Sequence, residues 1–175
     1  MMFNSTQFEN PVAPRDLMSR VRGGDVSAFE ELVQPFHRPL IAFFYRLLND
    51  SVRAEDLAAD TFIKMYRDRQ SYRNDELATW IYSNALDVLR QSKGLENFPS
   101  QAEINNPVAK LVLGLSKQER IALLLHKYQG LNVVQIAEVL NMREGKTKAL
   151  LQIAYQQLTR QLQNYPTPGQ GRDTR

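Results

Sequence analysis

The chain has 175 residues, 43% of them hydrophobic, which is enough for one ordinary domain or two small ones with a proper core. Its 22 basic and 19 acidic residues leave a net charge of +3, and cysteine is absent, which excludes a disulfide framework, a thiolate zinc site and a cysteine nucleophile. The N-terminus has no signal-peptide core and no apolar run is long enough to cross a bilayer, so the expectation is a cytoplasmic protein without membrane insertion.

Residues 1–14 contain two prolines and no helical period, and are expected to form a flexible arm. Leu17, Met18 and Val21 predict a short helix that Gly23-Gly24 ends. Asp25 or Ser27 can cap the next helix, which carries Phe29, Leu32, Val33 and Phe36. Pro39 is expected to open a separate helix bearing Leu40, Phe43, Phe44, Leu47 and Leu48, broken at Asn49-Asp50. Ser51–Arg69 reads as an amphipathic helix with Ala54, Leu57, Ala58, Thr61, Phe62 and Met65 inward. The period lapses around Tyr72–Asp75 and resumes from Leu77 to about Arg90. No alternating run predicts a strand.

Gly94, Pro99, Asn105, Asn106 and Pro107 mark residues 92–107 as a linker. A second unit, 108–163, then begins with a helix around Lys110–Leu113. Another runs from Ser116 to Tyr128, with Ser116 and Glu119 spaced as a capping box. The tail 164–175 is rich in proline and glycine and is expected to be disordered. The fold class expected is therefore all-α: two small helical domains, 15–91 and 108–163, on a linker.

The segment Leu131–Leu158 carries the clearest functional signal. Val133, Ile136, Ala137 and Leu140 lie on one helical face, and Asn141 stands where the chain must turn. A second helix follows from near Gly145 and is expected to bury Leu150, Leu151, Ala154 and Leu158. This is the pattern of a helix-turn-helix, whose second helix presents its N-terminal residues to the DNA major groove. Those residues are Arg143, Glu144, Lys146, Thr147 and Lys148, with Gln152 one turn on. Charge agrees: Met1–Arg90 holds 11 basic and 13 acidic residues, whereas Gln91–Arg175 holds 11 basic and 6 acidic. Phosphate contacts should concentrate in the second half. A plain helical hairpin with a solvated polar face is the alternative. No nucleophile–base set, glycine-rich phosphate loop or metal-ligand spacing points to an enzyme or a cofactor, and His37 and His126 read as partly buried polar residues rather than ligands.

Three strings together resemble the extracytoplasmic-function (ECF) type of bacterial RNA polymerase sigma factor: GDVSAFEELVQPFHRPL (24–40), AEDLAADTFIKMYRDR (54–69) and LSKQERIALLLHKYQGLNVVQIAEVLNMREGKTKALL (115–151). The resemblance spans about Asp16 to Leu162. It implies a protein that binds core RNA polymerase, takes the promoter −10 element as single strand with its first domain and reads the −35 element as duplex with its second; an anti-sigma factor is a further implied partner. It implies that Asp56, Asp60, Lys64 and Arg67, with Leu57, Phe62 and Tyr66 beside them, contact polymerase. For the −10 strand it implies Tyr72, Arg73, Asn74 and Asp75, then Trp80, Asn84 and Arg90, aromatic and cationic groups being what unstacked bases need; for Trp80 packing between helices is favoured over stacking on a base, and residues 72–75 are the better candidates for a base-capturing loop. The chain departs from the family in four places. About one helical turn is missing after TWIY (79–82), and the basic cluster after Arg90 is thin. Ala59 stands where glutamine is common. Arg143 replaces a serine, while Leu150, Ile153 and Tyr155 stand where arginines are common. A sigma-like regulator that binds polymerase or an anti-sigma factor without opening promoters, or a conventional helix-turn-helix repressor or activator, therefore remain as alternatives.

Overall fold

The computed structural model describes residues 15–73, 76–92 and 107–163. The expected arm, the linker core, Asn74, Asp75 and the tail lie outside them. Among the described residues there is no strand, and the helices are α1 (Arg15–Arg22), α2 (Val26–Leu48), α3 (Ser51–Arg67), α4 (Leu77–Gln91), α5 (Pro107–Leu113), α6 (Lys117–Gln129), α7 (Val133–Leu140) and α8 (Glu144–Gln163), with one 3-10 turn at Arg69–Ser71. None is long and apolar enough to cross a membrane.

Helix α2 corrects the expectation of two helices meeting at Pro39. It runs unbroken through Pro35 and Pro39. A proline inside a helix costs about 3 kcal/mol through its missing N–H and its ring. Against that, α2 buries nine large apolar side chains from Phe29 to Leu48 on one stripe, each contributing about 1.5–3 kcal/mol. Burial wins, and the stripe stays in phase only if the helix does not stop. Asp25, not Ser27, caps it, accepting from Ala28 N–H at 3.0 Å. That bond, with Arg20 beside it, holds the Asp25 carboxyl below its usual range.

The α2–α3 corner is built by two adjacent residues with different tasks. Asn49 takes the left-handed conformation that ends α2 (φ 54°), and Asp50 caps α3 by accepting from Arg53 N–H at 3.0 Å. The Ser116–Glu119 capping box forms at the start of α6. Asn132 and Gln135 make a second box at the start of α7 that sequence reading did not single out. Asn141 adopts φ 54°, ψ 51° at the helix-turn-helix corner and donates its N–H to the Ala137 and Glu138 carbonyls. In α8, Leu151 and Ala154 are buried as expected, while Leu150 and Leu158 are only half-buried.

The two helical units pack against each other in this structure. Helix α6 packs on α2, and α7 packs along α4. One apolar cluster runs from Leu17 through α2, α3 and α4 into Leu125, Ile136 and Leu140. Arg120 is buried at this junction. It donates to the Leu47 carbonyl at 3.2 Å and to the Leu113 carbonyl, and burial holds its guanidinium down to about 10.

Replacing Asn141 with valine should lower unfolding stability by about 1–2 kcal/mol, because a branched side chain resists the left-handed conformation, whereas glycine should be tolerated. Denaturant melts of both variants check this; equal losses would mean the asparagine side chain, not its backbone conformation, matters.

Candidate functional site

The helix-turn-helix exposes one end of α8. Arg143, Glu144, Lys146 and Lys148 all face solvent, as does Gln152. Glu144 opens the helix, where a negative side chain suits the helix dipole. Thr147 departs from the expectation. It is 0% exposed, with its hydroxyl donating to the Arg143 carbonyl at 3.3 Å. It packs the inside of the motif and cannot meet a base from this conformation. Further along α8 the exposed face turns neutral: Ala149, Gln152, Ile153, Tyr155 and Gln156 precede the next cation, Arg160. Three exposed cations, Arg143, Lys146 and Lys148, thus cluster at the start of the helix, the end that a helix-turn-helix characteristically presents to a groove.

The segment expected to hold single-stranded DNA is built differently from its sequence reading. Tyr72 is buried, its ring 5.0 Å from that of Trp80 and its carbonyl accepting from Arg22. Trp80 is half-buried, so one part packs and another faces out. Asn84 is 5% exposed and fully engaged: its amide donates to the Trp80 carbonyl at 2.8 Å, and its carbonyl oxygen accepts from Lys64 at 3.0 Å. Tyr72 and Asn84 therefore position Trp80 and α4 rather than offer themselves to a ligand. Arg73 and Arg90 are exposed, Arg90 sharing Asp87 at 2.9 Å.

On α3, Asp56, Asp60 and Arg67 are exposed. Leu57 is 4% exposed and belongs to the core, since it lies on the inward stripe with Ala54, Ala58, Thr61 and Met65. Phe62 is half-buried and its ring stacks on exposed His37, the centroids 6.0 Å apart. Tyr66 donates to the Gly24 carbonyl at 2.8 Å, tying α3 to the α1–α2 turn. Lys64 is a bridge rather than a free cation: its ammonium reaches Asp68 at 2.8 Å as well as Asn84, and Asp87 at 3.9 Å. The Lys64 hydrogen bond is the main reason the Asp68 carboxyl lies below its ordinary range.

Two exposed apolar residues on α3 were missed. Val52 is 68% and Ile63 65% exposed, and they share a face with Asp56, Ala59 and Asp60. The signal was their spacing: Val52, Asp56, Ala59 and Ile63 repeat every three or four residues, off the buried stripe. Large apolar side chains left on such a face mark a contact surface when they cluster. His126 is likewise at the surface rather than partly buried, its Nδ1 3.1 Å from the Leu131 carbonyl.

The comparisons with known proteins agree with this layout. Residues 21–93 match Sigma-70 region 2, and residues 106–158 match Sigma-70 region 4. The chain is 25% identical to the ECF RNA polymerase sigma factor SigW of Bacillus subtilis, over 84% of this chain and 95% of that protein. It is 25% identical to the RNA polymerase sigma-H factor of Pseudomonas aeruginosa, over 85% of this chain and 93% of that protein. Among solved structures, CnrH in complex with the cytosolic domain of CnrY has the same fold, with a TM-score of 0.69, 20% identity and coverage of 88% of this chain and 99% of that one. With both regions present in order around the exposed basic end of α8, the chain belongs to the sigma-70 family of RNA polymerase sigma factors, as a member of its ECF type.

Proposed function

We propose that this sigma factor docks on core RNA polymerase through the exposed face of α3, holds the −10 strand beside Trp80, Arg73 and Arg90, and reads the −35 duplex with the first turns of α8. As a sigma factor it binds core polymerase and directs promoter recognition and transcription initiation; it works as a cytoplasmic initiation factor and not as an enzyme. The solved relatives are complexes with anti-sigma factors or the cytosolic domain of a partner, and an anti-sigma factor is the proposed regulator here. The two units would be 15–91 and 108–163.

The single observation that carries this reading is the pairing of a region 2 match with a region 4 match whose helix-turn-helix leaves Arg143, Lys146 and Lys148 on an exposed helix end. With three cations there, the duplex contact alone is weak, because each phosphate neutralised contributes a salt-dependence slope of only about −0.9. Tethering to polymerase offsets that weakness by raising the local concentration of the reader at the promoter. The neutral face of α8 beyond Lys148 favours a second reading, a regulator that binds polymerase without productive opening.

Run-off transcription with core polymerase and fragmented genomic DNA separates the two. Discrete transcripts sharing an upstream motif are expected; none, from folded protein that binds polymerase, would support the second reading. Changing Lys146 and Lys148 to alanine should flatten the salt dependence of duplex binding by roughly one unit of slope per lost contact. An unchanged slope would remove both from the backbone contact. Ile63→Asp should weaken polymerase affinity about tenfold or more while leaving the thermal melt within about 0.5 kcal/mol of wild type. Unchanged affinity in a pull-down titration would put the polymerase contact on another face.

A further inference from the structure

Arg22 and Arg69 belong to none of the surfaces assigned above, yet the fold draws both to the turn between α1 and α2. Arg22 ends α1 and donates to the Tyr72 carbonyl. Gln70, next to Arg69, donates to the Arg22 carbonyl at 2.8 Å. Arg69 donates Nη1–H to the Tyr66 carbonyl at 2.9 Å, and its guanidinium lies over the Tyr66 ring, 4.7 Å from the centre. Its Nη2 is 3.7 Å from the point where a side chain on Gly24 would begin. Gly24 has φ 91°, a conformation that favours glycine, so no side chain covers that edge of the guanidinium.

These two half-buried cations lack a counter-charge. Among the described residues neither forms an ion pair. Asp25, the carboxylate of this turn, is taken by Arg20 at 2.8 Å and by the Ala28 N–H. Asp68 is taken by Lys64 and Arg67. A guanidinium carries five N–H donors, and each of these two donates to one carbonyl. The Nε of each is buried and meets no acceptor among the described residues. Under-satisfied donors of this kind in a native structure call for an explanation, an absent anion being one.

The planar fork of a guanidinium matches phosphate oxygens, and stacking on Tyr66 fixes the plane of Arg69. Position selects the source of the phosphate. Arg22 holds the carbonyl of Tyr72, whose ring lies 5.0 Å from that of Trp80, and exposed Arg73 follows in the chain. We propose that Arg22 and Arg69 form a phosphate-binding site for the backbone of the single DNA strand whose bases are held beside Trp80. The proposal rests on the −10 reading above and adds residues from α1 and the 3-10 turn to it. Phosphate contacts fix where a strand lies without reading its sequence. They supply cations in a half whose basic cluster after Arg90 is thin.

The test uses the free full-length chain and a fluorescent single-stranded oligothymidine, because a backbone site accepts any sequence. Anisotropy titrations at several salt concentrations give the slope of log affinity against log salt. Arg69→Met keeps a stem over Tyr66 and removes the charge, and Arg69→Lys keeps the charge. Arg69→Met should flatten the slope by about 0.7, the share of one single-strand phosphate, with its thermal melt unchanged. Adding Arg22→Met should flatten it by about 1.4 in all, while Arg69→Lys should keep the wild-type slope. An unchanged slope in folded Arg69→Met protein, or no strand binding by the wild-type chain at low salt, would overturn the proposal. An unchanged slope with weakened polymerase binding would overturn it too, by making the anion a carboxylate of the polymerase. Trp80→Ala separates the two readings. If it leaves strand affinity unchanged while Arg69→Met still flattens the slope, the −10 placement fails and the phosphate site stands.

Discussion

Helix α2 has to remain a single rod from Val26 to Leu48, because both halves of the chain rest on it. Its stripe from Phe29 to Leu48 supplies the wall against which α1 and α3 pack. Its C-terminal carbonyl at Leu47 receives Arg120 from α6. Stopping the helix at Pro39 would put Phe43, Phe44 and Leu47, all fully buried, out of phase with Phe29 and Phe36. The two prolines lie on the side of α2 that faces the α6–α7 turn, where Pro35 and Pro39 line a crevice with Gln129, Gly130 and Leu131. The lost helical hydrogen bonds thus fall beside an open crevice, with Pro35 exposed, and not within the stripe that holds the first half.

From that rod the functional surfaces follow by subtraction. Side chains used to lock α3 and α4 together are withdrawn from contact with partners: Lys64 and Asn84 bond one another, and Tyr72 supports Trp80. What remains outside is a face of α3 mixing acidic and apolar residues, a half-exposed tryptophan on α4, the exposed Arg73 and Arg90, and the cationic end of α8. Charged groups of this kind set specificity and encounter rate more than affinity. That suits the proposed duplex reader, whose exposed helix end offers only Arg143, Lys146 and Lys148.

Much of this was legible in the sequence, and the misses have physical causes. Caps at Asp25 and Ser116, the left-handed Asn141 and the order of helices follow from local chemistry that tertiary packing did not override. The break at Pro39 was read from a local rule, whereas the outcome was decided by burial summed along the helix. Site residues were harder to assign, because one side chain can serve a surface or a core depending on a rotation of one position around the helix. Leu57 and Thr147 turned inward; Val52 and Ile63 turned outward. Lys64 was chemically right for a surface contact but lies within reach of Asp68 and Asn84, the latter 20 positions on, which no local pattern reveals. The packing of α7 on α4 joins segments separated by the 92–107 stretch and left no trace in periodicity.

The two sigma regions share one apolar core. Trp80 is the single tryptophan and sits on α4 in the first half, so its fluorescence reports that half, while far-ultraviolet circular dichroism reports helices of both. Equilibrium unfolding followed by the two probes should give one coincident transition, because separating the halves exposes a continuous apolar surface. A distinct helical transition to which Trp80 is silent would contradict the shared core and describe two independently folded units.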